Sequence, residues 1–238
     1  MGNRRSIWVE LPPGFQKGQR LCGLVIAFDG VVYRSTVPAP RIVQWLVREG
    51  RIPPTALVLV GNPPRSRVRE MGLDPSFPEF LARELLPWLR RTYRTDVRPS
   101  RTVLAGSSLG GLAAAFSALR HPESFGAVLA QSGAFQWSRP SDGGGPGALM
   151  RAYARLPRLP IRFYLEAGRR ESLAAPGAGL SLLAASRHFR DVLVAKGYPV
   201  AYSEFEGGHD YACWPDGLRS GLSYLLGPGA RAPGAGRS

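Results

Sequence analysis

A chain of 238 residues, 44% hydrophobic and only 20% charged, can bury a sizeable core without disulfides or metals, and it is too apolar for a disordered polyelectrolyte. Gly 29 and Pro 22 are many, but no collagen-like period runs through them. The net charge of +14 is almost wholly arginine, because Lys17 and Lys196 are the two lysines.

That charge has three readings: a nucleic-acid footprint, steering of an anionic small substrate, or the Arg/Ala/Gly/Pro enrichment of GC-rich coding. The arginines are scattered through every predicted element with no run of five or six, which favours enrichment, then an anionic substrate, and disfavours nucleic acid. Cys22 and Cys213 form no disulfide framework and no zinc-ligand spacing with histidine, so no metal is expected. Arg4 and Arg5 are followed by no apolar signal-peptide core, and no stretch is long enough to span a membrane, so the expected compartment is the cytoplasm.

In chain order, residues 7–11 read as a strand, stopped by Pro12-Pro13-Gly14. Residues 21–28 are a continuous apolar run and read as a buried strand. Ile42, Val43, Leu46 and Val47 give a helix over 40–49, and 56–60 is a third strand. Phe77, Phe80, Leu81, Leu85, Trp88, Leu89 and Tyr93 follow helical spacing over 77–93, with Pro87 expected to bend the helix or start a new turn. Strand 102–105, helix 109–119, strand 127–130, strand 161–166, helix 180–195, strand 200–205 and helix 217–226 complete the series. Residues 139–147 read as a mobile loop and 227–238 as a flexible Gly/Pro/Arg tail. Alternating strands and helices predict an α/β fold with a mostly parallel sheet covered on both faces, in a single domain over 1–226.

Gly106-Ser107-Ser108-Leu109-Gly110 matches G-x-S-x-G, with an apolar strand running in and an Ala/Leu-rich helix running out. That strand–turn–helix setting is the nucleophile elbow of an α/β-hydrolase, with Ser108 as nucleophile and Ser107 off the central position. The triad order in this fold is Ser, acid, His. His121, at a helix end, and His188, mid-helix, read as structural, whereas His209 in Glu206-Gly207-Gly208-His209-Asp210 follows the last strand and reads as the base. Glu171, in the loop after strand 161–166, is the preferred acid. Glu166 at the strand end, or no acid at all, are the alternatives, and Asp210 is expected to point elsewhere. Oxyanion donors are expected at the N–H of Leu109 and around Gly30 or Val31. No cofactor is needed.

These residues resemble a known family. The segments 105–114 (AGSSLGGLAA), 121–126 (HPESFG) and 131–133 (QSG) look like the enterochelin (ferric enterobactin) esterases. So do Phe28-Asp29-Gly30, Arg67-Val68-Arg69-Glu70-Met71, 80–88 (FLARELLPW), 165–168 (LEAG) with Arg170-Glu171, and Gly207-Gly208-His209-Asp210 with Cys213-Trp214. The likeness is collinear over about residues 6–226. It implies a cytoplasmic enzyme that hydrolyses the esters of catecholate trilactone siderophores. The cytoplasmic enterochelin esterases carry a large N-terminal domain, whereas here about 20 residues stand ahead of the core. An acyltransferase or thioesterase of a biosynthetic pathway, using the same triad, is the alternative. For an anionic or aromatic small-molecule ester, Arg65, Arg67 and Arg69 are expected at the cleft mouth, and Phe135, Trp137 and Trp214 as stacking platforms.

Overall fold

The computed structural model describes residues 2–16, 19–63, 65–93, 96–139, 141, 145–174 and 179–230. Seven strands form one sheet in the order β1-β3-β2-β4-β5-β6-β7. They are β1 (Ile7–Glu10), β2 (Gly23–Ala27), β3 (Thr55–Val60), β4 (Thr102–Ser107), β5 (Ala127–Gln131), β6 (Arg162–Gly168) and β7 (Val200–Phe205). β1 pairs antiparallel with β3, and every other pairing is parallel. The central strands β2 to β6 are buried along their whole length, which is why they read as mostly apolar runs.

Side-chain alternation divides the core in two. Val25, Ala27, Val103 and Leu129 face α1 (Gly30–Ser35), α2 (Ala39–Arg48) and α9 (Trp214–Leu226). Leu24, Ile26, Leu104 and Val128 face the helices between β3 and β7: α3 (Arg67–Met71), α4 (Ser76–Glu79), α5 (Leu86–Tyr93), α6 (Leu109–Arg120), α7 (Ala148–Arg155) and α8 (Leu182–Ala195). On that second face Phe163 meets Tyr153, Phe189 and Tyr198 edge to face, with centroids 5.6, 6.0 and 5.4 Å away. Truncating such a fully buried ring costs about 3–5 kcal/mol.

Pro87 acts as the sequence suggests. It has no N–H to donate, and its ring would press on the carbonyl four residues back. The chain meets this with a π-helical segment, Phe80–Leu85, in which Leu86 N–H reaches the Leu81 carbonyl, and α5 starts at Leu86. Three short helices went unread: α1, α7 and α3. The last carries Arg67 and Arg69. Residues 140, 142–144 and 231–238, which carry much of the expected mobile loop and flexible tail, lie outside the described residues. Among the described residues no helix is long and apolar enough to cross a membrane.

The sheet order sets the site. β2 connects outward to β3 on one side, whereas β4 connects to β5 on the other, so the crevice beyond the carboxyl ends of β2 and β4 is a topological switch point. Open α/β sheets hold their ligands at such a crevice. Gly30 follows β2 and Ser108 follows β4.

Candidate active site

Ser108 joins the end of β4 to the first residue of α6 with φ 57° and ψ −123°, a conformation that non-glycine residues avoid. The surroundings enforce it. Ser108 N–H donates to the Gln131 carbonyl at 3.0 Å, and its own carbonyl accepts from Leu112 at 3.1 Å and Ala134 at 3.0 Å. Strand end and helix start approach so closely that a Cβ on Gly106 would lie 2.6 Å from the Gly110 carbonyl carbon. Ser108 stays partly exposed, whereas Ser107 is buried in β4.

The histidine and the acid come from the two neighbouring strand ends. Nδ1 of His209 lies 2.6 Å from Oε1 of Glu171. Oε2 of Glu171 accepts the Gly168 N–H at 2.8 Å, so both carboxylate oxygens are engaged. The loops can meet because residue 168 is glycine: a Cβ there would lie 2.5 Å from the Gly207 carbonyl oxygen. A carboxylate can only accept, so the neutral ring carries its proton on Nδ1 and leaves Nε2 as the basic nitrogen. The imidazole packs edge to face on Trp214, 5.4 Å between centroids, and its side chain is 38% exposed.

Glu166 does not meet His209. It lies under the site, accepting from Gln131 Nε2 at 2.6 Å, and burial pushes its carboxyl up to about 7. Gln131 also accepts from the Tyr33 hydroxyl at 2.7 Å and donates to the Trp214 carbonyl at 2.8 Å. Asp210 caps the turn after it through Ala212 N–H. His121 closes α6 between Glu79 and Glu123, and His188 is on the surface.

Leu109 and Gly30 are the first residues of α6 and α1. The first N–H groups of a helix have no carbonyl within it to serve, so each can donate to a group outside its helix. Gly30 is wedged in place: a Cβ there would lie 2.9 Å from the Val60 carbonyl carbon.

Two of the expected substrate contacts, Trp214 and Phe135, need correction. Trp214 is 1% exposed, with its indole N–H 3.3 Å from Ser132 Oγ, so it backs His209 and offers no face to a ligand. Phe135 is fully buried, 4.3 Å from the Phe189 ring. Trp137 keeps part of its surface, with its N–H directed to the Gly72 carbonyl. Arg67 is half-buried, its side chain 35% exposed, with its Nε and one terminal nitrogen on the two oxygens of Asp29 at 2.6 and 2.7 Å, and that hydrogen bonding raises its already high pKa. Arg69 is exposed, 3.9 Å from Glu70, and Arg65 is exposed beside it. Sequence reasoning missed Asp29 and Asn62 as site residues, although each stands at the end of a strand just where a cleft opens.

The family described as "Putative esterase" matches residues 1–225. The chain belongs to this esterase family. An iron(III) enterobactin esterase of Dickeya dadantii is 30% identical over 237 residues, covering 95% of this chain and 52% of that one. The crystal structure of an enterobactin esterase from Shigella flexneri, in the presence of 2,3-dihydroxy-N-benzoyl-serine, superposes with a TM-score of 0.80 at 29% identity. It covers 94% of this chain and 55% of that one. The chain thus spans about half the length of the curated relatives it matches. A siderophore hydrolase from Aspergillus nidulans shares the fold at 18% identity and a TM-score of 0.74, over 98% of this chain and 93% of that one. In fold this esterase-family chain is an α/β-hydrolase.

Proposed function

We propose that the chain is a serine esterase that cleaves the ester or lactone bonds of a catecholate trilactone or a related aryl-acyl ester. The observation that carries the reading is a serine held in a strained turn at the switch point, with a carboxylate-bound histidine on the adjoining strand-end loops. Ser108 Oγ attacks the acyl carbon as Nε2 of His209 takes its proton. Glu171 holds the ring by Nδ1–H and stabilises the imidazolium. The N–H groups of Leu109 and Gly30 receive the negative charge on the former carbonyl oxygen. Collapse breaks the ester bond, and His209 returns the proton to the leaving alkoxide. Water, deprotonated by His209, then attacks the acyl-enzyme and frees the acid and Ser108.

The catecholate assignment draws on the enterobactin esterases among the relatives. Exposure of His209 favours water as acceptor over the alcohol or amine of an acyltransferase. Residues 1–226 are read as one catalytic domain, because all seven strands lie in one sheet.

A panel of trilactones, aryl esters and thioesters tests the reading, with products followed by mass spectrometry. Hydrolysis of the trilactone to acyl-serine fragments, absent in Ser108→Ala, is the expected result. Transfer products in place of acids, or turnover that survives Ser108→Ala, would overturn it.

A further inference from the structure

We propose that Tyr211 is a specificity-determining residue, its open ring face forming a stacking wall of the cleft for an aryl group on the ester. The proposal rests on the esterase reading above and assigns a substrate contact to that same site. Tyr211 opens a 3₁₀ turn, Tyr211–Cys213, two residues after His209. Hydrogen bonds hold this turn on both sides. Asp210 N–H donates to the Gly208 carbonyl at 2.9 Å, while the Asp210 carbonyl accepts from Cys213 at 3.1 Å and its carboxylate from Ala212 at 2.9 Å. The Tyr211 ring then stands on Trp214, 5.0 Å between centroids and 88° between planes. His209 stands on the same indole at 5.4 Å and 83°. One buried tryptophan thus seats both the base and the tyrosine.

So seated, the ring is fixed but not used up. Tyr211 is 43% exposed, and its hydroxyl makes no hydrogen bond to the described residues. A perpendicular ring contact occupies at most one face, so the other stays open. The hydroxyl end leans over the cleft. It lies near enough to Arg67 on α3 and to Tyr33 on α1 for its charge to act on theirs. Those helices follow β3 and β2, so Tyr211 reaches from the loop after β7 back toward the strand ends where Gly30 stands. A rigidly held aromatic face favours a flat ring over a saturated ring of like size, because the offset and edge contacts of two π systems add to the apolar area buried. No such preference needs the phenol hydroxyl.

The test compares ethyl N-benzoyl-serinate with ethyl N-cyclohexanecarbonyl-serinate in a pH-stat, two neutral esters that differ only in the ring. Wild type is expected to prefer the benzoyl ester. Tyr211→Leu keeps apolar bulk and loses the π face, so KM for the benzoyl ester should rise roughly 3- to 10-fold, the range for an aromatic pair. KM for the cyclohexyl ester should stay within about twofold, and Tyr211→Phe should match wild type on both. In both variants kcat should hold within about twofold with an unchanged pH–rate profile, because the residue binds and does not react. An equal fall in kcat on both esters with a displaced pH profile would overturn the proposal, since Tyr211 would then act through Trp214 on His209. So would a loss in Tyr211→Phe as large as in Tyr211→Leu, which would make the hydroxyl the contact. Thermal unfolding of each variant guards against misfolding; if Tyr211→Leu does not fold, Tyr211→Met takes its place. Wild type that hydrolyses neither ester, with Ser108 inert to a fluorophosphonate, removes the esterase reading and this inference together. A wild type labelled at Ser108 that shows no preference for the benzoyl ester removes this inference alone.

Discussion

Oε1 of Glu171 lies 2.6 Å from Nδ1 of His209 while its Oε2 takes the Gly168 N–H, so one buried carboxylate is tied both to the imidazole and to the end of its own strand. The histidine ring is therefore aimed by β6, a central strand, although His209 sits on a loop. Removing either reacting group should stop the chemistry: Ser108→Ala and His209→Ala are expected to lose at least ~1000-fold in kcat. Glu171→Ala should lose less, leaving roughly 10- to 100-fold more activity than Ser108→Ala, because the acid orients the base without accepting the substrate's proton. Steady-state kinetics at matched circular dichroism checks the order. If Glu166→Ala proves the more damaging of the two acid variants at equal stability, the acid has been misassigned.

The elbow was legible because its chemistry is local: two glycines, a serine between them, an apolar strand before and a small-residue helix after. His209 was legible for the same reason, as the histidine of a glycine pair after the last strand. The choice between Glu171 and Glu166 was legible only as a preference. Both stand near one strand end, and only the strand's facing decides which carboxylate emerges and which lies beneath the sheet end. The pairing of Arg67 with Asp29 was not legible, because the two lie 38 residues apart and a long-range ion pair leaves no periodicity in the sequence. The burial of Trp214 was invisible for a related reason: a tryptophan after a histidine loop looks alike whether its ring faces solvent or α9 turns it inward. Helix α3, five residues long, is shorter than the repeat that would reveal it.

Glu166 should make stability depend on pH. Its carboxyl is pushed from 4.5 up to about 7, chiefly by burial, so the fold prefers it protonated. A carboxyl with a raised folded pKa stabilises fully below the unfolded value, and that contribution is lost as pH rises through the folded value. The window is thus about pH 4.5 to 7, and the shift corresponds to at most about 3 kcal/mol across it. Glu166→Gln mimics the protonated form and keeps an acceptor for Gln131. In urea unfolding at pH 5 and pH 8, the variant should gain on wild type as pH rises. A constant difference between the two would show that Glu166 ionises no differently in the folded chain.

Two glycines should resist a single methyl group. At Gly106 a Cβ would strike the Gly110 backbone at 2.6 Å, and backbone cannot step aside as a side chain can. At Gly217 a Cβ would fall on the Glu166 carboxylate, 1.7 Å from Oε2. Overpacking of this kind costs typically 1–3 kcal/mol. Gly106→Ala should therefore lose stability and also activity, since the turn that presents Ser108 must open. Gly217→Ala should lose stability with a smaller effect on kcat, and the Glu166→Gln background should not relieve it, because the amide is as large as the acid. Denaturation midpoints of the three variants check this. Wild-type stability for Gly106→Ala would mean that the elbow is looser than its contacts imply.

The last prediction separates the protein's field from its paired arginines. With +14 over 238 residues, the chain should draw anions toward the cleft whatever its individual contacts. Arg67 contributes little to that attraction, because Asp29 already balances it at 2.6 Å. Arg65 and Arg69 are the exposed cations on the same segment, and Arg69 stands 3.9 Å from Glu70, too far for a firm pair. The screening length shortens from ~30 Å at 0.01 M salt to ~8 Å at 0.15 M, so steering by exposed charges should fade over that range. We therefore expect kcat/KM on an anionic catecholate ester to fall with added salt, and kcat/KM on a neutral aryl ester to stay nearly flat. Arg65→Gln and Arg69→Gln should each weaken the anionic substrate by roughly two- to fivefold at low salt, the range for exposed charge contacts, and leave the neutral one alone. A flat response for both esters would assign the arginines to composition and remove the argument for an anionic substrate.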